Sequence, residues 1–330
     1  MNDRNDFHAR MSAADVMALW ELGHDAPPRE ASHLWRWQDM SPLLDACVEQ
    51  TTMDTAERRV LVLNNPAHAG TAHFGAAKNL AVCLQILMPG ERARPHRHTM
   101  HALRFVLEAD QVTTTVEGKR CEMLPGDMVL TPGMCWHEHE HRGKGRAVWV
   151  DALDVPFQAY MRNPVFEPGP VHDLVPLPPD AAFGGAGLGT ALPVVSTPYS
   201  PLFRYPWEAA VQALAALPRA ADGSRRVRYT NPMTGGAVMA TLDCYLLGLE
   251  KGRDTRGVRS NANVACVVAE GEGASTIGGQ TMRWGRNDIF TLPQGEWASH
   301  KAATADAKLF QITDREILRR LDLLREETQS

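Results

Sequence analysis

Three histidines in the first half of the chain have the spacing of a metal site. His96 and His98 lie two residues apart shortly after Pro89-Gly90, and His137 closes the stretch that begins at Pro125-Gly126. Because side chains alternate along a β-strand, His96 and His98 face the same side of a sheet. A third imidazole from a later hairpin can join them on one face of a small barrel. The sequence therefore predicts a metal centre with three neutral ligands and open coordination positions.

Short apolar runs separated by Gly, Pro and Asp turns must position these histidines. The runs extend from Leu80 to Val155 and resume from Tyr229 to Thr313, a pattern typical of β-sandwiches and barrels. A Pro- and Gly-rich connector separates the two regions, and Trp207 to Leu217 within it predicts a helix. Arg59 to Leu63 predicts a further strand.

The second β region repeats the first with a one-residue slip. The register aligns three residues of each region: Asp127 with Asp288, Pro132 with Pro293 and Trp136 with Trp297. It places residues that do not bind metals at the three histidine positions: Val258, Ser260 and Ala298. His300 matches His139, which is not one of the three. We therefore predict one metal site, in the first region, and a structural second region.

These patterns divide the chain into five parts. We predict an N-terminal arm with helices at residues 1–65 and a metal-binding barrel at 66–156. A connector at 157–228 and a second barrel at 229–313 follow, with a C-terminal helix at 314–330. Within the terminal parts, Ser12 to Leu22 and Asp314 to Glu327 are the segments with helical character.

Charge and cysteine usage exclude several classes of protein. The net charge is −5, and no basic stripe is evident, so we expect neither nucleic acid nor an anionic membrane as a partner. No apolar run is long enough to cross a bilayer, and the first residues are polar. The six cysteines have no metal-binding or redox spacing. We expect a cytoplasmic protein with reduced thiols.

The motifs around the histidines resemble those of the cupin family. Gly90 is followed by five residues and His96-Arg97-His98, and Gly126 by five residues and Pro132, with His137 shortly after. The Glu ligand usual after the second histidine is absent, since residues 100–103 read Met-His-Ala-Leu. Loss of that Glu leaves three neutral ligands, and room for a chelating substrate and dioxygen.

Longer stretches are similar to the gentisate 1,2-dioxygenase group of ring-cleaving bicupins. They cover nearly the full length and include Leu34 to Trp37, Ala102 to Glu108, Asp151 to Pro156, Tyr205 to Glu208 and Asn231 to Gly236. Members of this group act on gentisate, salicylate, 5-nitrosalicylate and 1-hydroxy-2-naphthoate. The resemblance implies an all-β bicupin, two jelly-roll barrels with flanking N- and C-terminal helices. It also implies a homo-oligomer, commonly a tetramer.

The resemblance implies a non-haem Fe(II) held by His96, His98 and His137. The substrate would be an aromatic hydroxy acid that chelates the metal through its carboxylate and ring hydroxyl, with dioxygen as the second reactant. Cleavage would fall between the carboxyl-bearing and hydroxyl-bearing carbons. His139 would assist proton transfer or orient oxygen, and Asp151 would position the substrate or His139. The alternative for His139 is a solvated loop histidine, and the alternative for Asp151 is a structural partner of Arg104.

Further family positions correspond to residues that would bind the substrate. Arg104 would pair with the substrate carboxylate, because guanidinium suits bidentate recognition of oxygens; the alternative is a surface cation. Gln85 would supply a polar contact, the alternative being a core hydrogen bond. Arg58 or Arg59 would add a second cation, and the sequence does not choose between them. His101 and His141 are expected at the surface, and Trp136 in barrel packing.

Two positions depart from the pattern of many relatives, which carry an aromatic residue four before the Gln and a glycine two before it. Here these positions hold Ala81 and Cys83. If alternation places both beside Gln85, loss of the aromatic ring enlarges one side of the pocket. We expect a bulkier or differently substituted salicylate than gentisate, 5-nitrosalicylate being one candidate.

Two other classes of function remain open at this point. One is a cupin isomerase or decarboxylase that uses Mn or Zn, since imidazole suits several first-row metals. The other is a non-catalytic ligand-binding protein.

Overall fold

Short strands dominate the chain because β-branched and aromatic residues recur between Gly, Pro and Asp turns. The computed structural model describes residues 2–21, 30–69, 75–185 and 196–329, and side chains from Phe7 onward. The α-helices of these residues are α1 (Asn2–Ala13), α2 (Trp37–Gln50), α3 (Met53–Ala56), α4 (Val155–Tyr160), α5 (Trp207–Ala216) and α6 (Arg315–Arg320). None of these helices is long and apolar enough to span a bilayer.

The strands of the first half are β1 (Leu34–Trp35), β2 (Arg59–Leu63), β3 (Ala81–Leu87), β4 (Arg92–His98), β5 (Ala102–Glu108), β6 (Val112–Val116), β7 (Lys119–Met123), β8 (Met128–Thr131), β9 (His137–His141), β10 (Ala147–Leu153) and β11 (Phe166–Pro168). Those of the second half are β12 (Arg204–Tyr205), β13 (Arg225–Arg228), β14 (Asp243–Gly248), β15 (Val258–Ser260), β16 (Val264–Glu270), β17 (Gly273–Ile277), β18 (Gln280–Trp284), β19 (Ile289–Leu292), β20 (Ala298–Ala302), β21 (Lys308–Thr313) and β22 (Glu326–Thr328). The predicted strand from Arg59 and the predicted helix from Trp207 are both confirmed.

Four sheets form two barrels, as the bicupin resemblance predicts. The first barrel has the orders β12-β8-β5-β10-β3-β2 and β11-β4-β9-β6-β7, and the second has β1-β19-β16-β21-β14-β13 and β18-β17-β20-β15-β22. The predicted repeat register is visible in the strand pairing. His96 pairs with His137 across β4 and β9, and Val258 pairs with Ala298 across β15 and β20.

Each barrel receives a strand and a helix from a distant part of the chain. β1 and α2 belong to the N-terminal arm, yet β1 pairs with β19 of the second barrel. β12 and α5 belong to the connector, and β12 pairs with β8 of the first barrel. The attachments are equivalent: Asp288 accepts the Trp37 amide at 2.8 Å, and Asp127 accepts the Trp207 amide at 2.8 Å. The barrels therefore extend beyond the predicted limits, because β2, β12 and β13 complete their sheets.

One apolar core joins the two barrels. The outer faces of β5 and β21 meet where Phe105 stacks on Phe310, with ring centroids 4.3 Å apart. Alternation then turns the neighbouring Arg104 toward the interior of the first barrel. Burial of this interface fixes the strands that carry the site.

Two predicted terminal helices are wrong in extent. α1 ends at Ala13, because Asp15 has a left-handed backbone with φ of 52°. The predicted 12–22 helix therefore holds only the end of α1 and a 3-10 turn at Leu19–Glu21, and its last residue, Leu22, lies outside the described residues. α6 ends at Arg320 for the same reason, since Asp322 has φ of 57°. The rest of the predicted C-terminal helix instead forms β22, which pairs with β15 at the edge of the second barrel.

Candidate metal and substrate site

Strands β4 and β9 bring the three predicted ligands together inside the first barrel. His96 and His98 project from one face of β4, and His137 begins the neighbouring strand β9. One ligand nitrogen from each ring lies within 4.8 Å of the other two, and all three residues are buried. Among the described residues, no other set of histidines, cysteines and carboxylates converges in this way.

Backbone carbonyls fix the tautomer of each ring. Nδ1 lies 2.8 Å from the Arg94 carbonyl in His96, and 2.9 Å from the Met100 and Cys135 carbonyls in His98 and His137. A carbonyl only accepts, so each Nδ1 carries the hydrogen and each Nε2 keeps its lone pair. Three lone pairs therefore converge, the arrangement that a first-row metal requires.

Burial keeps these imidazoles neutral. It lowers the pKa of His96 to about 3, with the Arg58 charge adding to the effect, and the pKa of His98 to about 4. Burial and the neighbouring imidazoles hold the pKa of His137 well below its ordinary value. The site therefore presents neutral nitrogen ligands at physiological pH, which is the protonation state that metal binding needs.

Arg58, and not Arg59, reaches the histidines. Its Nη1 lies 2.8 Å from Nε2 of His96, and its guanidinium sits 5.6 Å from the ring centroid of Phe166, which stacks on His96. Arg59 points away and pairs with Glu91, with Nη1 2.6 Å from Oε2. Arg58 immediately precedes β2 and Arg59 is its first residue, and their side chains reach different partners, a choice that the sequence left open.

Arg104 and Asp151 form a buried charged pair on the sheet wall of the site. They are cross-strand neighbours in β5 and β10, with Nε and Oδ1 3.1 Å apart but not aligned as a hydrogen bond. Arg104 donates from Nη1 to Thr131 Oγ1 at 2.8 Å, and Asp151 accepts the Trp149 indole N–H at 3.1 Å. Nη2 of Arg104 has no hydrogen-bond partner among the described residues. That nitrogen remains able to bind an oxygen ligand.

The pKa of Asp151 reflects two opposed influences. Burial raises it, and the adjacent Arg104 guanidinium lowers it without cancelling the rise. Because arginine stays protonated in proteins, Arg104 is a permanent buried cation. A cation in this position attracts a carboxylate.

Ala81, Cys83 and Gln85 share one face of β3, as alternation predicts. Cys83 pairs with Asp151 and Gln85 with Trp149 on β10, so the three residues continue the wall that carries Arg104. All three are buried, and the amide nitrogen of Gln85 has no hydrogen-bond partner. Burial and Asp151 raise the pKa of Cys83 to about 12, so its thiol stays protonated.

His139 lies deeper in the barrel, two residues beyond His137 on the same face of β9. Its Nδ1 is 2.8 Å from Thr114 Oγ1, whose hydroxyl faces the Met123 thioether at 3.0 Å. A thioether only accepts, so the Thr114 hydroxyl hydrogen points to Met123 and its oxygen accepts from Nδ1–H. Nε2 of His139 therefore holds a lone pair, and this buried atom has no partner.

Unpaired polar atoms concentrate in this barrel. The buried atoms without hydrogen bonds include Nε2 of His137, Nε2 of His139, Nε2 of Gln85 and the facing atoms of Arg104 and Asp151. Buried polar groups are otherwise satisfied in folded proteins. The residues present thus fit a metal ion together with an oxygen-bearing ligand.

Two other histidines have structural contacts, and the expectation that they lie at the surface is wrong for one. His141 is buried, accepting the Gly143 amide at Nδ1 and donating to the Gly145 carbonyl from Nε2 at 2.6 Å. Nδ1 of the partly buried His101 accepts the Gly133 amide at 3.0 Å. Both rings hold turns together, which spacing along the chain did not indicate.

Sequence reasoning missed four residues that support the site: Thr114, Thr131, Trp149 and Phe166. Thr114 had a detectable signal, because the repeat register sets the pair Thr114 and His139 on Ser275 and His300 of the second barrel. The others become apparent only through cross-strand pairing, since nothing in their local sequence distinguishes them from core residues.

Comparisons with known proteins agree with this geometry. A cupin domain model matches residues 83–155. The chain is 33% identical to 5-aminosalicylate 1,2-dioxygenase of Comamonas sp, covering 98% of this chain and 90% of that protein. It is 31% identical to gentisate 1,2 dioxygenase 1 of Aquipseudomonas alcaligenes, covering 98% and 96% respectively.

A solved structure extends the likeness to the fold. Salicylate 1,2-dioxygenase from Pseudaminobacter salicylatoxidans superposes with a TM-score of 0.91 at 30% identity, covering 98% of this chain and 97% of that one. The same enzyme has been solved in adducts with gentisate. With its two barrels and its converging histidines, the chain belongs to the gentisate 1,2-dioxygenase family of ring-cleaving bicupin enzymes.

Proposed function

We propose that this chain is an Fe(II)-dependent dioxygenase that cleaves a substituted salicylate between its carboxyl-bearing and hydroxyl-bearing carbons. The convergence of three Nε2 lone pairs within 4.8 Å carries the proposal. Three neutral ligands suit iron and leave positions for two reactants. When bound, iron would supply the electronic coupling between an electron-rich aromatic ring and dioxygen.

His96, His98 and His137 hold the metal in this proposal, and their carbonyl partners keep the rings oriented. Because each Nδ1–H is already hydrogen bonded, no ring has to change tautomer when a metal binds, and the one hydrogen bond to be given up is that from Arg58 Nη1 to Nε2 of His96. This organisation before binding lowers the free-energy cost of assembling the site.

Arg104 orients the substrate carboxylate. Its Nη2 is free, whereas its Nη1 and its stem are fixed by Thr131 and the barrel core. Arg58 provides the second cation, because it is the arginine that faces the histidines. Two guanidinium groups that bind one substrate carboxylate also orient the aromatic ring attached to it. Correct orientation of the reactants is a large part of catalysis.

His139 acts as the proton acceptor of the site. Burial holds its pKa well below the ordinary value, so the ring is neutral, and Thr114 leaves Nε2 as its free base. Asp151 holds Arg104 and Trp149 in place and limits the net positive charge of the wall. Gln85 offers its unpaired amide to substrate oxygen.

Ala81 and Cys83 set the substrate preference. Both lie on the same strand face as Gln85, where a larger ring would fill space beside the substrate. The small side chain at position 81 therefore favours a bulkier or differently substituted salicylate than gentisate, 5-nitrosalicylate and 5-aminosalicylate being the first to test. Relatives named for both compounds are similar to this chain.

We also propose a homotetramer in a reducing cytoplasmic compartment. The six cysteines are free, and five of them are buried. Size-exclusion chromatography with light scattering tests the assembly.

Anaerobic reconstitution tests the function. Purified chain is loaded with Fe(II), Mn(II) or Zn(II), and oxygen consumption is followed with salicylate, gentisate, 5-nitrosalicylate and 5-aminosalicylate. We expect stoichiometric oxygen uptake with Fe(II) alone, together with loss of aromatic absorbance. Turnover without oxygen uptake would establish an isomerase or decarboxylase, and tight binding without turnover a binding protein. A clear preference for gentisate would refute the assignment of Ala81.

A further inference from the structure

The second barrel lacks the three histidines but retains an interior cavity of about 180 Å³. That space is large enough for several water molecules or for a small organic molecule. Arg226, His300 and Gln311 form a polar part of its lining, and Leu247, Val264 and Leu292 form an apolar part. A lining with one polar and one apolar side suits a small amphipathic molecule.

Arg226 is a cation without an anion. It extends from β13 over the ring of Tyr245, with its Cζ 3.9 Å from the centroid, and its guanidinium has no hydrogen bond or ion pair among the described residues. Arg315 lines the same cavity but is already neutralised, since its Nε lies 3.0 Å and 3.1 Å from the two carboxylate oxygens of Glu326. The protein around Arg226 is dense enough that burial lowers its pKa, although the cavity keeps the side chain open to solvent.

No acidic group of the described residues forms an ion pair with Arg226, although Glu326 and Asp243 attract it from a longer distance. Asp222 accepts from Ser224 and from the Arg256 amide, with Oδ2 2.9 Å from that amide nitrogen. Glu326 is engaged by Arg315. The Arg226 guanidinium is therefore available to an anion that enters the cavity.

His300 and Gln311 add one donor and one acceptor. Nδ1 of His300 is 2.7 Å from Ser275 Oγ, which also accepts the Trp284 indole N–H at 2.9 Å. The Ser275 hydroxyl hydrogen has no other acceptor, so it points to Nδ1 and leaves N–H at Nε2 of His300. Gln311 is 4% exposed, and its Oε1 is buried without a hydrogen bond. Such an oxygen calls for a donor.

We propose that the second barrel is a separate binding site for a small hydroxycarboxylic acid. The carboxylate pairs with Arg226 and accepts from Nε2 of His300. The hydroxyl donates to Oε1 of Gln311, and the hydrocarbon part lies against Leu247, Val264 and Leu292. Guanidinium suits a carboxylate through two parallel N–H···O bonds, and its stacking on Tyr245 holds it in one orientation.

Titrations followed by ¹⁹F NMR test the site on the iron-loaded enzyme kept anaerobic. Trifluorolactate serves as the aliphatic probe and 3-fluorosalicylate as the aromatic probe, with trifluoropropanoate as the matched acid that lacks a hydroxyl. Arg226→Gln should weaken trifluorolactate binding roughly 10- to 100-fold, because a charged hydrogen bond is lost. Arg225→Gln is the matched control, since it removes the same charge from the opposite face of β13 and should change nothing.

Gln311→Leu provides a second variant that removes no charge. Gln311→Leu should abolish the preference for trifluorolactate over trifluoropropanoate, while trifluoropropanoate should bind as it does to the wild type. Arg226→Gln should leave ring cleavage at its wild-type kcat/KM. The proposal is overturned if Arg226→Gln binds trifluorolactate like the wild type at an unchanged Tm, or if Arg104→Ala alone removes all binding. If 3-fluorosalicylate also occupies the Arg226 site, the second barrel binds aromatic hydroxycarboxylic acids. If 3-fluorosalicylate does not bind there, the second barrel binds aliphatic ones.

Discussion

Substitution of Arg104 by methionine separates substrate capture from metal binding. Methionine keeps much of the stem volume and removes the charge. Loss of a charged hydrogen bond to the substrate carboxylate costs about 1.5–3 kcal/mol, so we expect KM to rise roughly 10- to 150-fold. Iron content should not fall, because the Arg104 charge disfavours a cation beside the histidines, as its lowering of the His137 pKa shows.

The same substitution leaves Asp151 buried without its cation. Removal of one partner from a buried ion pair destabilises a protein by about 3–5 kcal/mol. Arg104→Met should therefore lower the free energy of unfolding, and Arg104→Met combined with Asp151→Leu should recover only part of it, because Asp151→Leu also removes the acceptor of the Trp149 indole N–H. The double variant should not recover KM, because the group that binds the carboxylate is still absent.

Three measurements check this reasoning: iron per chain by a chromogenic chelator, KM from oxygen uptake, and urea denaturation. Arg97→Met is the matched control. It lies between His96 and His98, but its side chain pairs with Glu167 outside the site, with Nε 2.7 Å from Oε2. Equal loss of iron and substrate affinity in Arg104→Met, or recovery of KM in the double variant, would show that Arg104 is structural.

Three further predictions follow from the contacts. Arg58→Met should raise KM at full iron loading, whereas Arg59→Met should lower Tm at unchanged KM, since Arg59 pairs with Glu91. Steady-state kinetics and thermal melts measure both effects, and an exchange of the two effects between the variants would contradict the prediction. His139→Gln should lower kcat by about 10²- to 10⁴-fold with little change in KM, as expected for loss of a general base, and an unchanged rate constant for oxygen uptake in a single turnover would exclude that role. Burial lowers the pKa of His300 from 6.5 to about 4, so protonation favours the unfolded chain: this cost is absent above pH 6.5 and grows as the pH falls toward 4. Between pH 7 and 5 the wild type should lose about 2 kcal/mol more unfolding free energy than His300→Gln, and parallel urea curves would refute this.

The sequence determined the fold class and the three converging histidines. Gly and Pro turns between apolar runs define short strands, and strand alternation places His96 and His98 on one face whatever surrounds them. The repeat register could also be found from sequence, because it compares two stretches of the same chain, and the pairing of Val258 with Ala298 as of His96 with His137 agrees with it. Turns and alternation depend on nearest neighbours, and such features can be predicted from sequence.

Tertiary structure alone decided which residues meet across the barrel. It selected Arg58 over Arg59, set Asp151 beside Arg104, and left Arg226 unpaired in the second barrel. It also converted the expected C-terminal helix beyond Arg320 into an edge strand. Each outcome depends on pairing between segments far apart in the chain, whose free energy comes from burial and shared hydrogen bonds and not from local preference.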